Sequence, residues 1–149
     1  MSDCPDLPTG IYENTCDVQA VFGINNIASW SNLDGGDTLD PVRMQVALNW
    51  ADATIQSLFK NYGNYVYPLS PVNEGIVIVN YWGSVLAGVW LYESRGLRDD
   101  DELGNHLTKL KNNVMNQIND YRMANLLSAS LRWPQSQAPT GYSPRQFKN

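Results

Sequence analysis

Residues 75–96 read GIVIVNYWGSVLAGVWLYESRG, and this stretch decides the fold. From Ile76 to Tyr92 it contains no charged side chain. A helix that is apolar all round has no face suited to water, so it belongs either in a bilayer or in the core of a helical domain. Length alone does not separate the two, because this apolar segment is close to the length of about 20 residues that a membrane span needs.

The sequence around this segment favours the protein core. Glu74 precedes it and Glu93, Arg95 and Arg98 follow it, so the Lys/Arg asymmetry that orients a membrane span is absent. Other segments supply amphipathic partners, and we therefore expect a buried central helix and no membrane association. Gly83, Ala87 and Gly88 would let a neighbouring helix approach closely. The residues that we expect in the core are Ile76, Val79, Trp82, Leu86 and Trp90.

The first partner helix is predicted from Pro41 to about Asn61. Asp40 before Pro41 is a strong start signal, because Asp caps a helix well and Pro fits its first position. Apolar residues then recur at spacings of three and four, which draws one stripe along the helix. They are Met44, Ala47, Leu48, Ala51, Ile55, Leu58, Phe59 and Tyr62.

The second partner helix is predicted from Leu103 to Arg122. The acidic run RDDDE before it provides a cap and first-turn carboxylates, which the helix dipole favours. Its apolar residues again repeat at three and four. They are Leu103, Leu107, Leu110, Val114, Ile118 and Tyr121.

The remaining segments complete an all-α prediction. Residues 1–14 contain Pro5, Pro8 and Gly10 and read as an extended N-terminal arm. Thr15 is predicted to cap a short helix that Gly23 ends, and Asn25 or Asn26 to cap one further turn. The sequence thus predicts a small bundle of three main helices plus one or two short N-terminal helices over 15–131, with an extended C-terminal tail at 132–149.

Composition limits the functional classes. The chain has 149 residues, one domain's worth, and a net charge of −5, which argues against a surface that seeks nucleic acid. Residues 1–9 lack a signal-peptide pattern, so we expect a protein made in and kept in the cytoplasm. Cys4 and Cys16 could close a loop, but a domain of this size needs no disulfide, and free thiols in a reducing compartment are expected.

No catalytic pattern is present in the sequence. It has one histidine, no phosphate-binding glycine loop and no metal-binding motif, so we predict a protein that is not an enzyme and has no cofactor. Asp34, Asp37 and Asp40 lie three apart rather than at the alternate positions of a calcium loop, which favours a solvated turn over a cation site. Tyr65 and Tyr67 could form a ligand platform, although tyrosines in such connections more often cover a core.

Two stretches are candidates for contacts with other proteins. Trp50 lies off the apolar stripe of its helix, about 100° from Ala51 and near the same side as Val42 and Val46. These three residues either widen the buried face or form a second apolar edge, and we prefer a subunit interface. The locally basic tail either orders on a partner or stays disordered. Its candidate docking residues are Arg132, Trp133, Tyr142, Arg145 and Phe147.

The order of several short motifs resembles the head-tail connector proteins of tailed bacteriophages, also called head completion or adaptor proteins. The resemblance covers roughly residues 15–131 and is a pattern of helices and turns, without a catalytic signature. The motifs are DVQAVFG at 17–23, LDGGD at 33–37, WADATI at 50–55, YPL at 67–69, LAGVWLYESRG at 86–96 and INDY at 118–121.

The resemblance implies a structural virion protein of the neck, made in the host cytoplasm. Family members form a homo-oligomeric ring, usually of twelve copies, beneath the portal protein, and they join the head to the next neck or tail protein. DNA would pass through the lumen without specific binding. Family members often have a shorter C-terminus and a more regular acidic loop. The alternative from another class is a monomeric cytoplasmic protein-binding module, such as a regulator.

Overall fold

The protein is all-α in a computed structural model, which describes residues 4–60, 74–95 and 102–124. Five helices lie in these ranges, and the described residues contain no strand, only an isolated bridge between Thr9 and Asn14. The helices are α1 (Thr15–Phe22), α2 (Ile24–Ser31), α3 (Pro41–Lys60), α4 (Glu74–Glu93) and α5 (Glu102–Ala124).

Helix α4 is the hub of the bundle, and the other four helices all pack against it. Val79, Trp82 and Leu86 are buried, as expected, and Trp90 is partly buried against the core. The Trp82 ring stacks near Phe59 of α3, with centroids 6.4 Å apart, and its Nε1 donates to Gln117 Oε1 of α5 at 3.1 Å. One side chain therefore joins the three long helices.

The expectation that α4 is buried on every side is wrong for its first two turns. Ile76 is 44% exposed, so it does not belong to the core, and Val77 and Tyr81 are also exposed. The N-terminal arm and α1 contact α4 through Asn80, Gly83 and Gly88, which leaves this part of the helix uncovered on that side. The later turns are covered because α1 reaches them.

Length and apolar composition would allow α4, over Gly75–Glu93, to cross a membrane, and no other helix in the described ranges meets both conditions. The bundle itself buries 61% of that segment. Core packing is thus a sufficient reason for its composition, since a helix covered by four neighbours needs few polar side chains.

The start of α3 agrees with the prediction. Asp40 Oδ1 accepts hydrogen bonds from the backbone N–H groups of Val42 (3.0 Å) and Arg43 (3.4 Å). The preceding loop is organised by Asn32, whose Oδ1 accepts from the N–H groups of Asp34 and Gly36. No group of three His, Cys, Asp or Glu residues in the described ranges could hold a metal ion.

The two short helices start differently from the prediction. Asn14, not Thr15, caps α1: its Oδ1 accepts from Asp17 N at 2.9 Å, while Asp17 Oδ2 accepts from Asn14 N. Thr15 is the first helical residue because its hydroxyl donates to Pro8 O instead. Helix α2 has two turns and begins directly after Gly23, whose φ of 95° lets the chain change direction.

The N-terminal arm is packed on the bundle, and its cysteines are paired. Tyr12, Glu13 and Asn14 are buried, and so is Cys4. Cys4 and Cys16 form a disulfide with their Cα atoms 5.8 Å apart, so the expectation of free thiols is wrong. The bond ties the beginning of the arm to the first turn of α1, in a place where the packing already brings the two together.

Candidate functional site

The most unusual polar group in the described structure is the carboxyl group of Glu13. Glu13 has no exposed surface, although it sits in the arm and not in a long helix. Its carboxyl group fits between Gly10 of the arm and Gly83 of α4. A Cβ atom at either glycine would overlap a carboxyl oxygen of Glu13. Both glycines are therefore needed for this side chain to enter the bundle.

Asp52 of α3 lies beside Glu13 and fixes the arm from the opposite side. It is 4% exposed, and its oxygens accept hydrogen bonds from the backbone N–H groups of Ile11 (2.6 Å) and Tyr12 (3.4 Å). Asp52 thus acts as the acceptor that anchors the arm to α3.

The pKa of Glu13 is raised from 4.5 to about 10, chiefly by burial and in addition by the hydrogen bond to Asp52 and the negative charge of Asp52. The charge of Asp17 acts in the same direction, while a backbone hydrogen bond opposes it. No other described residue donates a hydrogen bond to either Glu13 oxygen, so an ionised Glu13 would be buried without a partner from the surrounding helices. With its proton, Glu13 becomes a donor to Asp52, and the two side chains form an acid-carboxylate pair at neutral pH.

Other polar contacts hold the same segment of the arm. Asn80 of α4 donates through Nδ2 to Tyr12 O (3.1 Å) and to Asp17 Oδ2 (2.8 Å). Gln56 of α3 donates to the Tyr12 hydroxyl at 3.0 Å. The arm is therefore bonded to both long helices between which Glu13 is inserted.

A depression of about 360 Å³ lies between residues 9–11 and one face of α3. Asn49, Asp52, Ala53 and Gln56 line its α3 side. Glu13 does not line it, so a molecule in the depression would meet Asp52 but would not reach the Glu13 carboxyl group. This geometry positions and anchors a segment of chain. It does not present Glu13 to a substrate.

The predicted subunit edge lies on α3, away from the acid pair. Val42 is 72% exposed and Val46 is 45% exposed, one turn further along the helix. Trp50 is only partly buried, and the Lys111 ammonium of α5 lies 5.7 Å from its ring centroid. The structure thus places all three residues on one side of α3, with Trp50 at the junction with α5.

The predicted docking residues Arg132, Trp133, Tyr142, Arg145 and Phe147 lie outside the described residues, as do Tyr65 and Tyr67. Their roles stay predictions.

Sequence reasoning missed both members of the acid pair. Asp52 did carry a signal: it falls four residues after Leu48 and three before Ile55, inside the apolar stripe of α3. A carboxylate at such a position requires a buried partner. Glu13 carried no such signal, because the arm has no periodic pattern that would predict which of its side chains are buried.

No protein-family model matches the chain, and no curated protein or solved structure shows significant similarity to it.

Proposed function

We propose that this chain is a head-tail connector subunit of a tailed bacteriophage, which forms a homo-oligomeric ring below the portal and joins the capsid to the tail. The motif order noted in the sequence supports this proposal, above all LAGVWLYESRG at 86–96, most of which lies in the hub helix α4. The small all-α bundle is compatible with a connector subunit.

The observation that carries the proposal is the apolar edge of Val42, Val46 and Trp50 on α3. The opposite face of this helix already supplies Met44, Leu48 and Ile55 to the core. Valines at 42 and 46 are therefore not needed to fold the bundle, and they leave apolar surface in water. A contiguous exposed apolar surface is typical of a contact with another protein.

A closed ring of more than two copies joins two different surfaces of neighbouring subunits. The bundle has a second exposed apolar patch at the start of α4, made of Ile76, Val77 and Tyr81. The presence of two separate patches on different helices fits a head-to-tail contact better than a two-fold dimer, which would need only one.

The net negative charge of the chain supports a ring whose channel lets DNA slide through. Each chain carries a net charge of −5, so twelve copies would carry about 60 negative charges before counterions screen them. An acidic lumen repels the phosphate backbone, which would keep friction low during genome passage. The same charge disfavours a role in gripping DNA.

The proposal is tested by measuring the mass of the protein by light scattering over a range of concentrations, with and without the portal protein. We expect a discrete ring for the wild type and loss of the ring in Val46→Glu, because the substitution places a charge in the contact. Val21→Glu is a matched control, since Val21 is also exposed, at 38%, but lies on α1.

Two results would speak against the proposal. A chain that stays monomeric at every concentration, even with portal protein, would favour the alternative of a monomeric protein-binding module. If Val46→Glu and Val21→Glu lost assembly equally, the apolar edge of α3 would not be the specific contact between subunits.

A further inference from the structure

The N-terminal arm is attached to the bundle at two places of different chemistry. At its beginning, Cys4 is bonded to Cys16 in α1. Further along, Asp52 accepts from Ile11 and Tyr12, and Asn80 donates to Tyr12 O. A reductant cleaves the first attachment and does not act on the hydrogen bonds themselves, so redox state controls only the covalent attachment.

The surroundings of the disulfide favour attack of a thiolate on Cys16, with Cys4 as the leaving group. Cys16 is partly exposed, whereas Cys4 is buried. The backbone N–H of Cys16, in the first turn of α1, donates to Cys4 Sγ at 3.2 Å. A hydrogen bond at a helix N-terminus stabilises a thiolate, so Cys4 is the better leaving group of the two.

We propose that the Cys4–Cys16 disulfide is a redox-controlled attachment. It holds residues 4–11 on a bundle that is otherwise packed independently of them. A dithiol reductant attacks Cys16 Sγ through its thiolate, the S–S bond breaks, and Cys4 leaves as a thiolate that takes up a proton. The second thiol of the reductant then displaces Cys16 from the mixed disulfide. The balance is two cysteine thiols formed and one disulfide formed in the reductant.

Reduction of the disulfide would release the arm from the bundle, starting at Cys4. Residues 4–9 would lose their covalent tether first, followed by the contacts that Pro8 and Gly10 make. Pro8 O accepts from Thr15 N (3.1 Å), and Gly10 N donates to Glu13 O (2.8 Å). Thr9, Gly10 and Ile11 form one wall of the depression beside Asp52, so their departure would expose that carboxylate to solvent. The helices need not move, because the core of α3, α4 and α5 does not use residues 4–11.

Amide hydrogen exchange measured by NMR tests this directly in the full-length protein with and without dithiothreitol. The sequence has only two cysteines, so the reductant acts at a single bond. On reduction we expect exchange at Gly10, Ile11 and Thr15 to rise by at least tenfold and up to about a hundredfold, the loop-closure advantage of a bond over this separation. Amides of α4 such as Leu86, and the Asp34 amide in the loop held by Asn32, should not change.

Two outcomes would overturn the proposal. Unchanged exchange in the arm would mean that the disulfide does not hold it. A similar rise in all helices would mean that the bond staples the whole fold. The Cys4→Ser/Cys16→Ser variant should reproduce the exchange pattern of the reduced protein. If this variant were unfolded, the disulfide would stabilise the whole fold and not only the arm.

The direction of attack has its own test. Brief treatment with glutathione followed by acid quenching and peptide mass analysis should find the mixed disulfide on Cys16. Glutathione attached mainly to Cys4 would contradict the assignment of Cys4 as the leaving group.

Discussion

Replacing Glu13 by Gln should stabilise the protein at neutral pH. The folded chain holds Glu13 with a pKa of about 10, whereas the unfolded chain has the ordinary value of 4.5. Between these values the folded state binds a proton that the unfolded state releases, so stability from this group is fully present below 4.5 and is lost as pH rises toward 10. Glutamine has the shape of the protonated acid and needs no proton from solvent.

The size of the expected stabilisation follows from the difference between the pH of the measurement and the pKa of Glu13 in the unfolded chain. At pH 7 that difference is about 2.5 pH units, and at 1.36 kcal/mol per unit the proton uptake costs the wild type about 3 kcal/mol. In Glu13→Gln the side-chain amide donates to Asp52 without this cost. The variant should therefore be more stable than the wild type by up to about 3 kcal/mol at pH 7 and nearly equal to it at pH 4.

Urea unfolding followed by far-UV circular dichroism, under non-reducing conditions at several pH values between 4 and 8, measures the effect. Glu102→Gln is the control, because Glu102 is exposed in the first turn of α5 and its loss should change stability by less than about 1 kcal/mol. If Glu13→Gln were destabilising at pH 7 and at pH 4 by the same amount, Glu13 would be ionised in the folded protein and the acid-carboxylate pair would be refuted.

Three further substitutions or truncations test other parts of the structure. Gly88→Leu should lower stability by about 1–3 kcal/mol or more, because a Cβ at Gly88 would overlap the Phe22 ring; an unchanged melting temperature would contradict this packing. Asp40→Ala should cost about 0.5–2 kcal/mol in denaturant unfolding through loss of the α3 cap, whereas Asp37→Ala, in the exposed loop, should cost much less; equal effects would refute the cap. Deleting residues 132–149 should leave the melting temperature unchanged and weaken binding to portal protein in a pull-down, and a variant that fails to fold would show that these residues belong to the core.

The long helices could be predicted from the sequence because their signals are local. Asp40 and Pro41 are adjacent, and the apolar stripes of α3 and α5 repeat within each helix. The all-apolar segment was correctly predicted as the hub of the bundle. Its exposed beginning was not predicted, since composition cannot show how far along α4 the arm and α1 extend.

The short helices and the arm depend on contacts between distant residues. Asn14 and Thr15 are both good caps, and the choice of Asn14 is fixed by the Thr15 hydroxyl bonding to Pro8. The acid pair joins residue 13 to residue 52, and the disulfide joins residue 4 to residue 16. Neither pairing follows from spacing along the chain. The subunit edge was predicted from the angle of Trp50 around its helix, and its exposed valines were found, while its function as an interface stays a prediction.

Native mass spectrometry of the purified chain mixed with the portal protein that the proposed connector function requires tests that proposal most directly. We expect a ring of a single, defined number of copies, about twelve, bound to the portal, and its loss in Val46→Glu. A chain that remains monomeric and does not bind the portal over the whole concentration range would contradict the assignment as a head-tail connector.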